Sequence, residues 1–172
     1  MLKMSTPTPP RSVLAVDPGY DRVGIAVFRG TDLGFSECFI PETKDFGERL
    51  RQVYQRITTL IQEYGPDALA LETLFMTKNQ KTAIKVAEAR GIIILAAAEA
   101  GVPLFEYSPQ DVKMAVTGTG NADKKGVIKM VDLTLKLPAK KRLDDEYDAI
   151  ALGLAHQMAT RLNGLSTGGL AK

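Results

Sequence analysis

One cysteine, Cys38, and one histidine, His156, are all that the chain of 172 residues holds of these two side chains, and no run of 18 apolar residues occurs. Each scarcity excludes something. A single cysteine closes no internal disulfide, and zinc sites built from several His or Cys ligands cannot form, nor can paired Cys-His machinery. The missing apolar run excludes a membrane-spanning helix, and the first ten residues, rich in Pro, Ser and Thr, lack the apolar core of a secretion signal. A soluble cytoplasmic protein is expected, with any catalysis resting mainly on carboxylates. Cys38 lies in a strand-like apolar stretch, 35–40, which predicts a core position rather than a reactive one.

What is present fits one domain, since 172 residues with 45% hydrophobic content suffice for a single sizeable core. Residues 1–11 read as a flexible leader, 12–162 as the domain, and the Gly-rich 163–172 as a flexible tail. The net charge of +2 says little, but between 111 and 142 eight Lys and Arg stand against three Asp. That stretch is either a polyanion-binding surface or a solvated helix face.

Residues 13–17, 23–28 and 33–40 read as three short strands joined by tight turns at Pro18-Gly19-Tyr20-Asp21 and Arg29-Gly30-Thr31-Asp32, an antiparallel meander. Asp45 with Glu48 resembles a capping box. Leu50, Val53, Tyr54, Ile57, Leu60, Ile61 and Tyr64 then repeat at helical spacing until Gly65-Pro66 stops them. Ala68-Leu69-Ala70-Leu71-Glu72 is a second buried strand, and a right-handed crossover makes it parallel to another strand of the sheet. Further helices are expected at 80–100, 111–117, 123–137 and 144–162, with a fifth strand at 104–107. The fold class is α/β: a mixed five-stranded sheet, three antiparallel strands and then parallel ones, flanked by helices.

Asp17 and Glu72 each end an apolar strand, and ligands of open sheets gather at the carboxyl ends of strands. If these strands are neighbours, about 4.8 Å apart, the two acids converge. Two desolvated carboxylates so close need a proton or a cation between them, and all-oxygen ligation suits Mg²⁺ or Mn²⁺. More acids stand at Asp144-Asp145-Glu146-Tyr147-Asp148. The pairs Asp145/Asp148 and Asp144/Asp148 both share a helix face, and Asp144 reads as the helix cap. Asp148, followed by a long apolar run, is expected to point inward. Four such acids can hold two cations roughly 4 Å apart, the spacing that clamps the attacking and leaving oxygens of a phosphodiester. Acids at strand ends also occur as simple caps of turns.

These residues carry a resemblance. Asp17-Pro18-Gly19 with Gly24, Leu71-Glu72-Thr73-Leu74-Phe75-Met76-Thr77-Lys78-Asn79, Ala89-Arg90-Gly91, Tyr107 with Val112-Lys113, Gly118 through Ala122-Asp123-Lys124, Leu137-Pro138 and Asp145-Glu146-Tyr147-Asp148-Ala149 follow one another as in the RuvC-type Holliday-junction resolvases. The ordered set covers nearly the whole chain outside its two ends. The resemblance implies a ribonuclease-H-like fold, a homodimer, and Mg²⁺- or Mn²⁺-dependent cutting of two symmetric strands of a four-way DNA junction. It also implies partnership with a RuvAB-type branch-migration complex. The family's acidic tetrad falls on Asp17, Glu72, Asp145 and Asp148, its functional lysines on Lys113 and Lys124, and its junction-contacting aromatic on Phe75. Tyr20 and Asp21 depart from the small residues common after the first glycine, and the chain starts about ten residues early.

The remaining features divide between bland and functional accounts. Phe75 either ends a strand as a core residue or stacks on a base; its wet neighbours Thr77, Lys78 and Asn79 favour the second. The segment from Gly118 to Lys125 is either an ordinary loop capped by Asn121 or Asp123, or a phosphate-binding helix start with Lys124 and Lys125 as DNA contacts. Lys124 is assigned to the scissile phosphate, where it would offset developing charge. His156 lies about 12 Å along the helix from Asp148, too far to share a cation. The helix that Lys81 opens and Ala100 closes is apolar all round over 91–98, which demands a second partner, either the last helices or a second subunit. Asp45-Phe46-Gly47 spells a kinase motif without the rest of a kinase. The leading expectation is a junction-cutting endonuclease leaving 5′-phosphate and 3′-hydroxyl ends. The alternatives are a ribonuclease-H-like nuclease of other branch specificity, an actin-like ATPase fragment, or a DNA-binding module without catalysis.

Overall fold

The structure, a computed structural model, describes residues 12–74 and 80–166, with the side chains of 80 and 162–166 left aside. Phe75 and Lys78, the leader 1–11 and the end of the tail lie outside the described residues. Strands β1 (Ser12–Asp17), β2 (Val23–Arg29) and β3 (Asp32–Phe39) form the meander, with β1 antiparallel to β2 and β2 to β3. Helix α1 (Phe46–Tyr64) then crosses over to β4 (Ala68–Glu72), which pairs parallel with β1. Helix α2 (Gln80–Glu99) leads to β5 (Leu104–Tyr107), parallel to β4, and the sheet order is β3-β2-β1-β4-β5. Helices α3 (Pro109–Thr117), α4 (Lys124–Leu135) and α5 (Asp144–Ser166) complete the chain.

Local chemistry explains the boundaries. Asp45 caps α1 by accepting from the Glu48 N–H at 2.8 Å, and Gly65, at φ 54°, closes it with its N–H on the Ile61 carbonyl. Only half of the expected capping box forms, because the Glu48 carboxylate turns to Arg51 instead. Helix α3 starts earlier than its apolar pattern suggests. Ser108 and Asp111 make a reciprocal capping box and Pro109 occupies the first turn. Asp123 caps α4, whereas α5 runs four residues past the expected end at 162, through Asn163 and Gly164.

Strand alternation sorts side chains onto two faces. One face presents Leu14, Val16, Ile25, Val27, Leu69 and Leu71 to Val53, Ile57 and Leu60 of α1 and to Ile93, Ala96 and Ala97 of α2. The other presents Val13, Ala15, Ala26, Phe28, Ala68 and Ala70 to α5, with α3 and α4 packed beside it. By the same parity Asp17 and Glu72 fall on the α5 face. Towards the acids this face narrows to small residues, Ala15, Ala26, Ala70 and Gly24, so that α5 can lie close. A Cβ on Gly24 would stand 1.8 Å from the Asp145 carbonyl oxygen, and one on Gly153 would stand 2.3 Å from the Phe28 ring.

The last helices do not cover α2, since α5 is on the opposite face of the sheet. Ile84 and Leu95 of α2 are left 59% and 47% exposed, and Glu88, Gly91 and Ala98 are exposed on the same stripe. Among the described residues no helix is long and apolar enough to cross a membrane.

Candidate active site

Val16 pairs with Leu71 across β1 and β4, so the next residues, Asp17 and Glu72, leave the sheet side by side at the ends of two neighbouring parallel strands. Asp17 is itself paired with Gly24 on β2, and Gly24 with Cys38 on β3. Because Gly24 has no side chain, the first turn of α5 rests directly on this rung. That turn brings Asp145 and Asp148 to the same place, as three-residue spacing on a helix requires.

The electrostatics show how close the acids are. The Asp17 carboxyl is pushed up to about 8, first by burial and then by the charges of Glu72, Asp148 and Asp145. Glu72 and Asp148 are also raised, both chiefly by burial; Asp148 adds to the rise of Glu72, and Asp145 to that of Asp148. Two cationic side chains offset part of this charge. Lys124 donates to Asp148 at 2.9 Å and stands 3.4 Å from Asp144, while Arg22 lies 3.0 Å from Asp145. Burial pulls the Lys124 ammonium down, but Asp148 and Asp144 outweigh it and leave its pKa raised. Among the described residues, no three acidic, His or Cys groups close into a cation cage.

Two clefts meet at Glu72 and Pro109. One, of about 230 Å³, is lined by Val112, Lys113, Lys124 and Asp148 as well. The other, of about 260 Å³, reaches Asp17, Pro18, Thr73 and Leu74. The structure therefore gathers Asp17, Glu72, Asp145, Asp148, Lys113 and Lys124, while Lys125 sits exposed next to Lys124 at the start of α4.

Two expectations change. Cys38 is half-buried rather than core, with its Sγ 4.0 Å from the Asp145 carboxylate; burial and that charge push the thiol up to about 11. Its neighbours in sequence are apolar, but its face of β3 looks at the acids. Asp144 is the first residue of α5 and not its cap, and the Leu143 carbonyl takes the N–H groups of Glu146 and Tyr147. His156, expected as a core or surface histidine, is core, its Nδ1 2.9 Å from the Tyr107 hydroxyl and its ring against Phe105 and Tyr107. Sequence reasoning missed Arg22, whose position in the hairpin after Asp17 was the available signal, and Glu146, which it treated as one acid in a run.

A strand meander, a crossover to a parallel strand and acids supplied by neighbouring strand ends and one helix define a ribonuclease-H-like nuclease. The sequence profile described as crossover junction endodeoxyribonuclease RuvC matches residues 13–156. The chain belongs to that family and is a Holliday junction resolvase, an endodeoxyribonuclease of recombination and repair whose family is metal-dependent. It is 42% identical over 151 residues to the RuvC of Roseiflexus sp., covering 85% of this chain and 90% of that one. The structure of T. thermophilus RuvC in complex with a Holliday junction substrate superposes with a TM-score of 0.82 at 31% identity, covering 89% and 96% of the two chains. The yeast mitochondrial Holliday junction resolvase shares the fold, with a TM-score of 0.63 at 14% identity, covering 96% and 87%.

Proposed function

We propose that the chain cuts four-way junctions by paired, symmetric nicks, with Mg²⁺ or Mn²⁺, two ions per site, held by Asp17, Glu72, Asp145 and Asp148. The observation that carries this reading is the Asp17 carboxyl, buried at the end of an apolar strand and driven up to about 8 by burial and by three other acids. A site with no use for cations gains nothing from gathering these anions. The donor set is all carboxylate oxygen, which fits a hard divalent ion. When bound, such ions supply Lewis acidity to the phosphate, activation of a water and stabilisation of the leaving 3′ oxygen.

The chain's own residues do the rest. Lys124, kept protonated beside Asp148, transfers its hydrogen bond to an oxygen of the scissile phosphate and offsets developing charge there. Lys113 lines the same cleft and meets an adjacent phosphate, and Lys125 holds the next one. Phe75 and Lys78, which follow Glu72 in the sequence, contact the unpaired bases and backbone at the crossover. The products carry 5′-phosphate and 3′-hydroxyl ends. A homodimer forms through the exposed stripe of α2, matching its two sites to the two-fold symmetry of a junction. The enzyme works in the cytoplasm and receives junctions from a RuvAB-type branch-migration complex.

Asp17→Asn and Glu72→Gln test this on a synthetic junction, with linear duplex as control and each metal in turn. Junction binding survives and metal-dependent nicking disappears in both variants. Retained nicking would remove these two acids from the reaction.

A further inference from the structure

Glu146 lies on α5 between Asp145 and Asp148 and lines neither cleft. Its side chain is buried, and a single oxygen, Oε1, gathers three groups. Ser36 of β3 donates to it at 2.7 Å, Lys140 at 3.2 Å, and the Arg142 Nε lies 3.4 Å away. Both Arg142 and Glu146 side chains are only 5% exposed. Arg142 also donates to the Pro138 carbonyl at 3.2 Å and stacks over Tyr147, whose hydroxyl donates to Asp132 of α4. One carboxylate thus ties the edge strand, the basic loop 136–143 and, through Arg142 and Tyr147, α4 to the first turn of α5.

Such a pair is a poor device for stability alone, because desolvating both ions offsets most of their attraction and apolar residues of similar volume hold a fold as well. Its value is geometric. Gly24 fixes how close the first turn of α5 lies to the sheet, the Asp145 carbonyl resting where a Cβ would be. Height does not fix rotation. Successive helical residues are about 100° apart around the axis, so holding Glu146 against Ser36 sets the directions in which Asp145 and Asp148 leave the helix. On the same face of β3, two residues on, Cys38 meets Asp145, so the strand registers the turn at two successive points.

We propose that Glu146 is a positioning residue for the reaction. Anchored by Ser36, Lys140 and Arg142, it holds the first turn of α5 in the rotation that aims Asp145 and Asp148 at the cations. The inference rests on the reading of those two acids as metal ligands. Side chains that orient metal ligands typically cost about 10- to 100-fold in metal affinity or activity when removed.

The test compares Glu146→Ala, Glu146→Gln and Ser36→Ala with the unaltered homodimer. It measures junction binding in metal-free buffer, Mn²⁺ binding by paramagnetic resonance without DNA, and single-turnover nicking at saturating Mg²⁺. In Glu146→Ala, junction affinity stays within about twofold while Mn²⁺ affinity and nicking rate each fall at least about 10-fold. Glu146→Gln, which keeps an acceptor for Ser36, recovers part of both losses, and Ser36→Ala shows both in milder form. A purely structural role would lower the melting point but leave Mn²⁺ affinity and nicking per folded dimer at their original values, and that result would overturn the proposal. Should Glu146→Ala not fold, Ser36→Ala decides by the same two readouts. Failure of the unaltered protein to bind Mn²⁺ overturns the metal-ligand reading itself, and this inference with it. Normal binding there with unchanged variants removes only the role of Glu146.

Discussion

Towards α1 and α2 the sheet presents branched residues, Leu14, Val16, Ile25, Leu69 and Leu71; towards α5 it presents Ala15, Ala26, Ala70 and Gly24 beside the acids, with Val13 and Phe28 at the far end. The first face is packed by volume. Its charged pairs, Arg56 with Glu37 and Arg90 with Glu106, lie on the two edge strands, away from the acids. The second is packed by proximity, and α5 lies so close that its own backbone fills the space above Gly24. Only there can two carboxylates from strand ends and two from a helix meet. The cost of bringing them together appears in the raised pKa values of Asp17, Glu72 and Asp148. One sheet thus carries a core on each face and the four acids on one of them.

The largest expected effect breaks the close face. Gly24→Ala puts a Cβ onto the Asp145 carbonyl oxygen, lifting the turn that carries Asp145 and Asp148. Misplacement by an ångström costs about 100-fold in rate, so single-turnover nicking falls by at least that factor, measured on protein that still binds junctions. Next, Leu69→Ala on the volume-packed face costs about 3 kcal/mol of stability, seen in denaturant unfolding, because a fully buried leucine leaves a cavity. The folded fraction nicks within about threefold of the original rate, since ordinary core losses act on folding rather than on placed groups. A third change acts on the outside of the same layer. Leu95→Glu places charge on the exposed stripe of α2, and sedimentation then shows monomers that nick one strand of a junction instead of two in concert.

The two faces also differ in how much of them could be read from the chain. Apolar runs end at Asp17 and Glu72, so both acids were legible as strand ends, while their convergence depended on the two strands being neighbours, which the β1–β4 pairing supplies. The choice between Asp144 and Asp145 was not legible, because both pair with Asp148 at helical spacing; the family resemblance decided it. The structure places Asp144 3.4 Å from Lys124 instead of at the helix cap. Contacts that join distant segments left no local trace. Ser36 to Glu146 spans 110 residues, and Cys38 to Asp145 spans 107. Cys38 was misread for that reason, since apolar sequence neighbours report the strand and not what faces it. The end of α5 was misjudged at Gly164, a residue whose modest helix penalty of about 1 kcal/mol does not stop a helix already docked along the sheet.

The account turns on Asp17 being a carboxylate held at a cost that a cation relieves. With its pKa raised from 3.8 to about 8, the folded protein keeps a proton over that range that the unfolded chain gives up. The stability that Asp17 contributes in metal-free buffer is therefore full below about pH 4 and is lost as the pH rises through about 8. Asp17→Asn removes that decline. The direct measurement is the melting temperature of both proteins at pH 8, without metal and with Mg²⁺. Without metal the variant melts about 5 °C higher, as a gain near 2 kcal/mol would give in a domain of this size. Added Mg²⁺ raises the original protein and leaves the variant nearly unchanged. A variant no more stable than the original without metal, or one that gains as much from Mg²⁺, would contradict the account.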